Sequence, residues 1–185
     1  MLSSRVHGPT GLVRSLQTGF TASRLSTARS NRNSLTSRRS TCRSSTSPPT
    51  PALGNYAHEH TKRWSESVRS ADAFVFVMPE YNFGPPPSLL NALNFVYREW
   101  NFAPAGFVSY GGVSGGTRAV QAVKSTISAV KMVPIPEGVA IPMVPAQIVD
   151  PAFKANELNA TAARTMLDQL KIWTGALRQL RTTVR

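Results

Sequence analysis

Residues 73–84 read AFVFVMPEYNFG, a short apolar run that leads directly into a turn-forming loop. The run over 73–78 is rich in β-branched and aromatic residues and is too short for a typical helix, so it predicts a strand buried on both faces. Residues 105–116, AGFVSYGGVSGG, repeat this arrangement with a glycine-rich loop. Because a predicted helix separates the two units, we expect parallel strands with a right-handed crossover. Both loops then lie at the carboxyl edge of the sheet, where open α/β sheets bind ligands.

The remainder of the chain beyond residue 54 predicts helices and one irregular segment. The predicted helices are residues 56–70 (capped by Asn55), 88–100 (capped by Ser88), 117–132 and 157–180. The last of these has its expected apolar positions at Leu158, Met166, Leu170, Ile172 and Leu177. Residues 133–144 contain three prolines, which predict either a short strand near the sheet edge or an extended loop.

Positive charge is concentrated at the start of the chain. Residues 1–50 contain eight arginines, many serines and no Asp or Glu, and therefore carry eight of the twelve net positive charges. Because few apolar groups are available to offset the entropy of ordering, we expect a disordered basic tail over residues 1–54. The proline-rich stretch 47–51 separates this tail from a predicted domain over residues 55–185, which is of ordinary size for one core.

Two other roles stay open for this tail. An Arg-rich, Ser-rich and acid-free segment is typical of a mitochondrial presequence, and Leu12, Val13, Leu16 and Phe20 can form one apolar helical stripe. A basic tail also attracts nucleic-acid phosphates, but Phe20 is its one aromatic ring for stacking on bases. We therefore expect a cytoplasmic protein, with a mitochondrial location as the alternative, and no specific binding of nucleic acid.

Cysteine content excludes a fold held by an internal disulfide, and hydropathy argues against an integral membrane protein. Cys42 is the single cysteine of the chain, so no internal disulfide can form. No apolar run approaches the roughly 20 residues that span a bilayer, so no transmembrane segment is expected.

The glycine-rich loop has the composition of a ligand-binding loop. Glycines at positions 111, 112, 115 and 116 leave backbone amides uncovered and permit positive φ, so that a flat or anionic ligand can approach the chain closely. The helix N-terminus that follows each loop adds partial positive charge. One such loop is a weak signal, whereas two on one sheet edge favour a binding site.

At these residues the chain resembles the flavodoxin-like NADPH-dependent FMN reductases, which include quinone, azo-dye and chromate reductases. The resemblance covers about residues 56–142, and its most specific pieces are PEYN at 79–82, LNAL at 90–93 and the SYGG and SGG sequences within 109–116. It implies a three-layer sandwich around a parallel sheet, with FMN and NADPH as cofactors. The implied reaction is hydride transfer from NADPH to FMN, followed by reduction of free flavin, a quinone or a similar acceptor.

The same resemblance implies that both loops flank the isoalloxazine ring of FMN. The implied cofactor-binding residues are Pro79, Glu80, Tyr81, Asn82, Ser109, Tyr110, Gly111, Gly112, Ser114, Gly115 and Gly116. No catalytic side chain is implied, because the flavin carries the chemistry and the protein supplies orientation, hydrogen bonds and a dry stacking face. Since family members commonly form dimers or tetramers, a homo-oligomer is expected.

One part of the family pattern is not found in the sequence. Members begin with a strand and a loop that wraps the FMN phosphate, whereas the stretch before Tyr56 contains no buried strand and residues 8–11 do not follow an apolar run. The predicted fold is therefore an N-terminally truncated flavodoxin-like sandwich whose strand at 73–78 exposes an apolar edge. A partner chain or another segment that completes the sheet, and a non-catalytic interaction module, are the alternatives.

A hydrolase is a further alternative. Residues 112–116 satisfy the G-x-S-x-G pattern of a nucleophile elbow, but all three histidines precede Ser114, whereas such hydrolases place the histidine after the serine. His58 and His60 are two positions apart and do not share a helical face, so no metal site is expected.

Several other side chains have two interpretations. Arg118, in the first turn after the glycine loop, either recognises a phosphate of NADPH or, as we expect, is a solvated surface arginine. Trp64, Trp100 and Trp173 lie on predicted helices and are expected to be core or subunit-contact residues. Tyr81 lies on the loop itself and is therefore the aromatic candidate for a ligand contact.

Overall fold

The computed structural model describes residues 51–149 and 152–183. The helices are α1 (Glu59–Arg69), α2 (Pro87–Asn94), α3 (Thr117–Ala129) and α4 (Glu157–Thr182). The strands are β1 (Phe74–Pro79), β2 (Pro104–Tyr110), β3 (Val133–Ile141), β4 (Ile148–Val149) and β5 (Ala152–Phe153). Short 3-10 helices occupy Pro51–Leu53, Arg98–Trp100 and Val144–Gln147. Of the basic tail predicted over residues 1–54, residues 1–50, with their alternative roles, lie outside the described residues, and residues 51–53 form the first 3-10 helix.

The first three strands form a parallel sheet in the order β1-β2-β3, which confirms the predicted α/β class and the parallel pairing of the two loop-bearing strands. Phe76 pairs with Phe107 in one ladder, and Val108 pairs with Val139 in the other. All seven residues of β2 are buried. This strand lies between β1 and β3, and helices cover both of its faces. Within the described part of the chain β1 pairs with β2 alone, and Val75 on β1 is exposed.

Helices cover both faces of this sheet and form the layers of a flavodoxin-like sandwich. On one face α1, α2 and α3 pack against β1 and β2 around Trp100, which is fully buried as the sequence predicted for a core residue. On the other face α4 packs against β3 and β2 through Met166 and Leu170. The guanidinium of Arg181 fixes the end of α4 by donating to the carbonyl oxygens of Ala71 at 2.6 Å and Asn101 at 2.9 Å.

Two of the helices have boundaries that differ from the predicted ones. Helix α1 begins after His58 rather than after Asn55, without a side-chain cap. Helix α2 begins at Pro87, so Ser88 lies in its first turn instead of capping it, because the φ of proline is preset for the first helical position. This helix also ends at Asn94 rather than at Trp100, whose indole Nε1 turns back to donate to the carbonyl of Leu93 at 3.0 Å.

The apolar face of α4 differs in part from the predicted one. Met166 and Leu170 are buried as expected, but Leu158 and Ile172 are exposed, since the buried row runs through Asn159 and Ala163. None of the helices in the two described stretches is long and apolar enough to cross a bilayer.

Candidate functional site

Backbone hydrogen bonds join the loops at the carboxyl edge of the sheet. The amide of Glu80, directly after β1, donates to the carbonyl of Tyr110 at the end of β2 over 2.9 Å. The segment after β3 also takes part, because the amide of Met143 donates to the carbonyl of Gly112 at 3.0 Å. The sequence predicted two loops at this edge as ligand loops, and the structure brings the segment after β3 to the same edge.

The first loop is a tight turn with a strained backbone. Tyr81 and Gly84 exchange two backbone hydrogen bonds, of 3.0 and 2.8 Å, across the turn. Its central residues, Asn82 and Phe83, have φ of 47° and 67°. Asparagine tolerates this left-handed conformation, whereas an aromatic residue adopts it rarely, so the turn needs support from its surroundings.

The glycines of the second loop have different roles. At Gly116, where φ is 86°, an added Cβ would lie 2.7 Å from the Cβ of Ser109 and 2.8 Å from the amide nitrogen of Tyr110. This glycine is therefore required by the close packing of the loop on its own strand. At Gly112, by contrast, an added Cβ would meet nothing within 4 Å, which leaves the backbone open to a ligand.

Glu80 caps helix α3 from the neighbouring loop. The N-cap residue of α3 is Gly116, which has no side chain to accept from the first amides. Instead, one carboxylate oxygen of Glu80, Oε2, accepts from the amides of Arg118 at 3.2 Å and Ala119 at 3.4 Å, and from the hydroxyl of Ser114 at 2.9 Å. These are the second and third amides of the helix, which an N-cap side chain ordinarily satisfies.

The other oxygen of Glu80, Oε1, binds the side chain of Arg118. It accepts from Nε at 2.7 Å and from Nη2 at 2.6 Å, and the same guanidinium lies 3.9 Å from the ring centroid of Phe83. Arg118 is on the helix surface with its side chain 51% exposed, as expected, but it is also paired with Glu80, which the expectation of a solvated arginine did not include. The pairing joins residues 38 positions apart, and no local sequence pattern indicates it.

Hydrogen bonding keeps Glu80 ionised. Burial of the carboxyl group, whose side chain is 6% exposed, opposes its charge, but the hydrogen bonds from Arg118 and Ser114 outweigh this effect, so the pKa of Glu80 is lowered from 4.5. The partial positive charge at the N-terminus of α3 was expected to favour the binding of a flat or anionic ligand. The amides of Arg118 and Ala119 already bind this carboxylate, which corrects that expectation.

Tyr110 contributes a buried polar group to the same edge. It is 4% exposed, and its hydroxyl has no hydrogen-bond partner among the residues that the structure describes. Burial, and secondarily the proximity of Tyr81, raise the pKa of this phenol. Its side chain packs in the apolar cluster that contains Val108, Ile141 and Val144. An unpaired buried hydroxyl costs about 1–3 kcal/mol, so a hydrogen-bond acceptor that reached this group would offset that cost.

The three loops carry exposed apolar side chains of their own. The largest are Tyr81, Phe83, Val113 and Met143, which we call the apolar rim. Met143 was missed in the sequence as a site residue. It lies within residues 133–144, for which a strand or an extended loop was predicted, and follows the observed end of β3 by two residues. Its φ of 46° is a second strained position at this edge.

Ser114 does not have the surroundings of a hydrolase nucleophile. Its hydroxyl donates to Glu80 and accepts from the amide of Gly116 at 3.3 Å. A carboxylate with a lowered pKa is a poor general base.

The expected separation of His58 and His60 is wrong. Their rings stack on each other with centroids 5.3 Å apart, because His58 precedes α1 and does not follow its helical spacing.

Comparison with known proteins gives one consistent result. The family model described as NADPH-dependent FMN reductase matches residues 29–146. An NAD(P)H-dependent FMN reductase of Schizosaccharomyces pombe is 42% identical over 113 residues, which are 58% of this chain and 56% of that protein. One of Saccharomyces cerevisiae is 40% identical over 81 residues, which are 44% of this chain and 42% of that protein.

The solved structures agree with the fold. The flavoenzyme NAD(P)H:(acceptor) oxidoreductase FerB of Paracoccus denitrificans superimposes with a TM-score of 0.57 at 23% identity, over 68% of this chain and 72% of that one. The chain spans about half the length of the curated relatives that it matches.

Proposed function

Because the chain belongs to the NADPH-dependent FMN reductase family, we propose that it binds FMN at the carboxyl edge of the sheet and oxidises NADPH. The observation that carries the proposal is the convergence of three loops on that edge, with the open backbone at Gly112 and the unpaired hydroxyl of Tyr110. When bound, FMN supplies the hydride chemistry, so the protein requires no acid–base cluster.

The residues of this edge fit a flat, polar-edged cofactor. The turn formed by Tyr81 and Asn82, together with the open chain at Gly112, would flank the isoalloxazine ring, as the family resemblance implies. The Tyr110 hydroxyl would donate to an oxygen or nitrogen of the ligand. Ser109, Gly115 and Gly116 would act less directly, because their contacts hold the loop on its strand: Ser109 Oγ donates to the Gly115 carbonyl at 2.9 Å.

Glu80 and Ser114 would support the flavin site indirectly, by holding the two loops in place. Both polar groups of this pair point at each other and at α3, so their role is to fix the loops rather than to bind the flavin directly.

A quinone-like compound is the proposed electron acceptor. The apolar rim presents exposed aromatic and aliphatic surface, including Phe83 at 65% exposure, beside the proposed flavin position. A planar, weakly polar acceptor would bury part of this surface, which favours its binding over that of a highly charged one. Self-association, as is common in the family, would cover more of it.

A non-catalytic interaction module is the second candidate. It is favoured by the exposure of Val75 on β1, a strand with a single partner in the described region. A strand edge of this kind can add a strand from another chain.

Titration of FMN with the purified full chain tests the proposal. We expect quenching of flavin fluorescence on binding, followed by NADPH consumption when a quinone is added. A folded chain that leaves flavin fluorescence unchanged would refute the reductase proposal and favour the interaction module.

A further inference from the structure

We propose that Arg118 is a positioning residue that, with Glu80, locks the turn at 81–84 onto the N-terminus of α3. Only the flavin-binding consequence of this inference rests on the proposed function. The lock itself is a property of the two loops. We call the three side chains of Glu80, Arg118 and Phe83 the loop clamp.

The first argument is that α3 cannot be capped from within its own loop. A side chain at Gly116 would collide with Ser109 and with the backbone of Tyr110, and φ at this position is 86°. The amides of Arg118 and Ala119 therefore depend on an acceptor from elsewhere, and Glu80 supplies it. Loss of this acceptor would leave two amides of the helix start without their partner, one of which belongs to the buried residue Ala119.

The second argument is that the strained turn needs an external contact. Phe83 holds a left-handed φ of 67° while the residue is 65% exposed, so burial compensates little for the strain. The guanidinium of Arg118, 3.9 Å from the ring centroid, is the contact that fixes this ring. One arginine thus connects the strained residue to the helix cap.

The third argument concerns charge. Both Nε and Nη2 of Arg118 donate to the carboxylate of Glu80, whose side chain is only 6% exposed. The positive charge is therefore matched within the protein, which favours a positioning role over recognition of a phosphate of NADPH. A planar guanidinium can bind a carboxylate through two nitrogens and stack on a ring at once, whereas a lysine ammonium cannot.

Amide hydrogen exchange of the full chain tests the clamp without any ligand. Arg118→Ala is compared with Arg164→Ala, which removes an arginine of similar exposure from a pair with Glu157: Arg118 is 51% exposed and Arg164 57%. We expect exchange in residues 81–84 and 114–119 to become about tenfold faster in Arg118→Ala, as loss of a charge-assisted hydrogen bond permits. Exchange in β2 should change little, and Arg164→Ala should leave both loops unchanged.

Two results would overturn the clamp. One is unchanged loop exchange in Arg118→Ala. The other is acceleration of the same size in the loops and in β2, because that would indicate general destabilisation rather than local positioning. Arg118→Lys should restore protection only in part, since lysine keeps the charge but loses the stacked, two-nitrogen geometry.

Flavin titration of the same variants separates this inference from the proposed function. If the wild-type chain binds FMN, Arg118→Ala should weaken binding by about tenfold, while Arg164→Ala should bind as the wild type does. If the wild-type chain does not bind FMN, the reductase proposal fails, and the exchange result still decides whether the clamp exists.

Discussion

A carboxylate oxygen of Glu80 lies 3.2 Å from the amide nitrogen of Arg118, although the two residues are 38 positions apart in the chain. The residue after β1 thus supplies the cap that the glycine preceding α3 cannot provide. This contact joins the loops after β1 and β2 into one structural unit, so a substitution in either loop should alter the conformation of the other.

Replacement of Glu80 by glutamine tests the cap through the dependence of stability on pH. The pKa of Glu80 is lower in the folded chain than its ordinary value of 4.5, so its stabilising effect is complete above that value and is lost as the pH falls through the folded pKa. Glu80→Gln should therefore have a lower urea midpoint than the wild type at pH 7, and the difference should shrink below pH 4.5.

Glu157→Gln is the matched control for this experiment. Glu157 also pairs with an arginine, but its side chain is exposed, so its loss should have little effect at any pH. Urea curves of Glu80→Gln and wild type that stay equally separated down to acidic pH would contradict the assignment of the ionised form to Glu80.

Removal of the Tyr110 hydroxyl should affect the stability of the fold and the affinity for FMN differently. Because this hydroxyl has no partner in the described region, Tyr110→Phe should be as stable as the wild type or up to about 1 kcal/mol more stable. If the hydroxyl donates to FMN, the affinity for FMN should fall by roughly five- to tenfold. Thermal unfolding and flavin titration of the one variant measure both effects.

Tyr56→Phe is the comparison variant, because it removes a tyrosine hydroxyl that is hydrogen-bonded. The Tyr56 hydroxyl donates to the buried carboxylate of Glu99 at 2.9 Å, so its removal should destabilise the fold by about 1–2 kcal/mol. Equal losses of stability in the two phenylalanine variants would show that the Tyr110 hydroxyl is paired in solution.

Alanine at two glycines of the second loop should have opposite consequences. Gly116→Ala places a methyl group 2.7 Å from the Cβ of Ser109 in a left-handed conformation, and should cost about 2–4 kcal/mol of unfolding free energy. Gly112→Ala meets no neighbour and should be close to neutral for stability. Chemical denaturation of both variants measures these unfolding free energies. A Gly116→Ala variant as stable as the wild type would contradict the close approach of the loop to its strand.

Gly112→Ala also tests where FMN binds. If a flavin approaches the open backbone at Gly112, the methyl group of Gly112→Ala should reduce FMN affinity while the fold is retained. Unchanged affinity would place the ligand away from this part of the loop.

Alanine at Gly175 should stabilise the chain. This residue lies in the interior of α4, and an added Cβ would meet nothing within 4 Å. The lower conformational entropy of alanine in the unfolded chain should raise the unfolding free energy by about 0.5–1 kcal/mol. A lower denaturation midpoint would indicate that this exposed helix face packs against something in solution.

Local patterns were sufficient for much of the architecture. The short apolar runs before Pro79 and Gly111 predict two strands, because they are too short for a typical helix. Burial on both faces holds throughout β2 but is incomplete on β1, where Val75 is exposed. The parallel arrangement and the shared loop edge follow from the intervening helix. Helix ends were harder: Asn55 and Ser88 are good caps in isolation, but packing of the chain on the core decides where a helix begins.

The amino-acid sequence by itself determined the α/β class, the order of the two loops on one sheet edge and the resemblance to FMN reductases, because these depend on residue type and spacing along the chain. Only the tertiary structure decided what the side chains of those loops do. Glu80 turns away to cap α3, Arg118 joins it, and Tyr110 keeps an unpaired hydroxyl. Contacts between residues nearly 40 positions apart arise from the pairing of β1 with β2, and they leave no periodic pattern in the sequence.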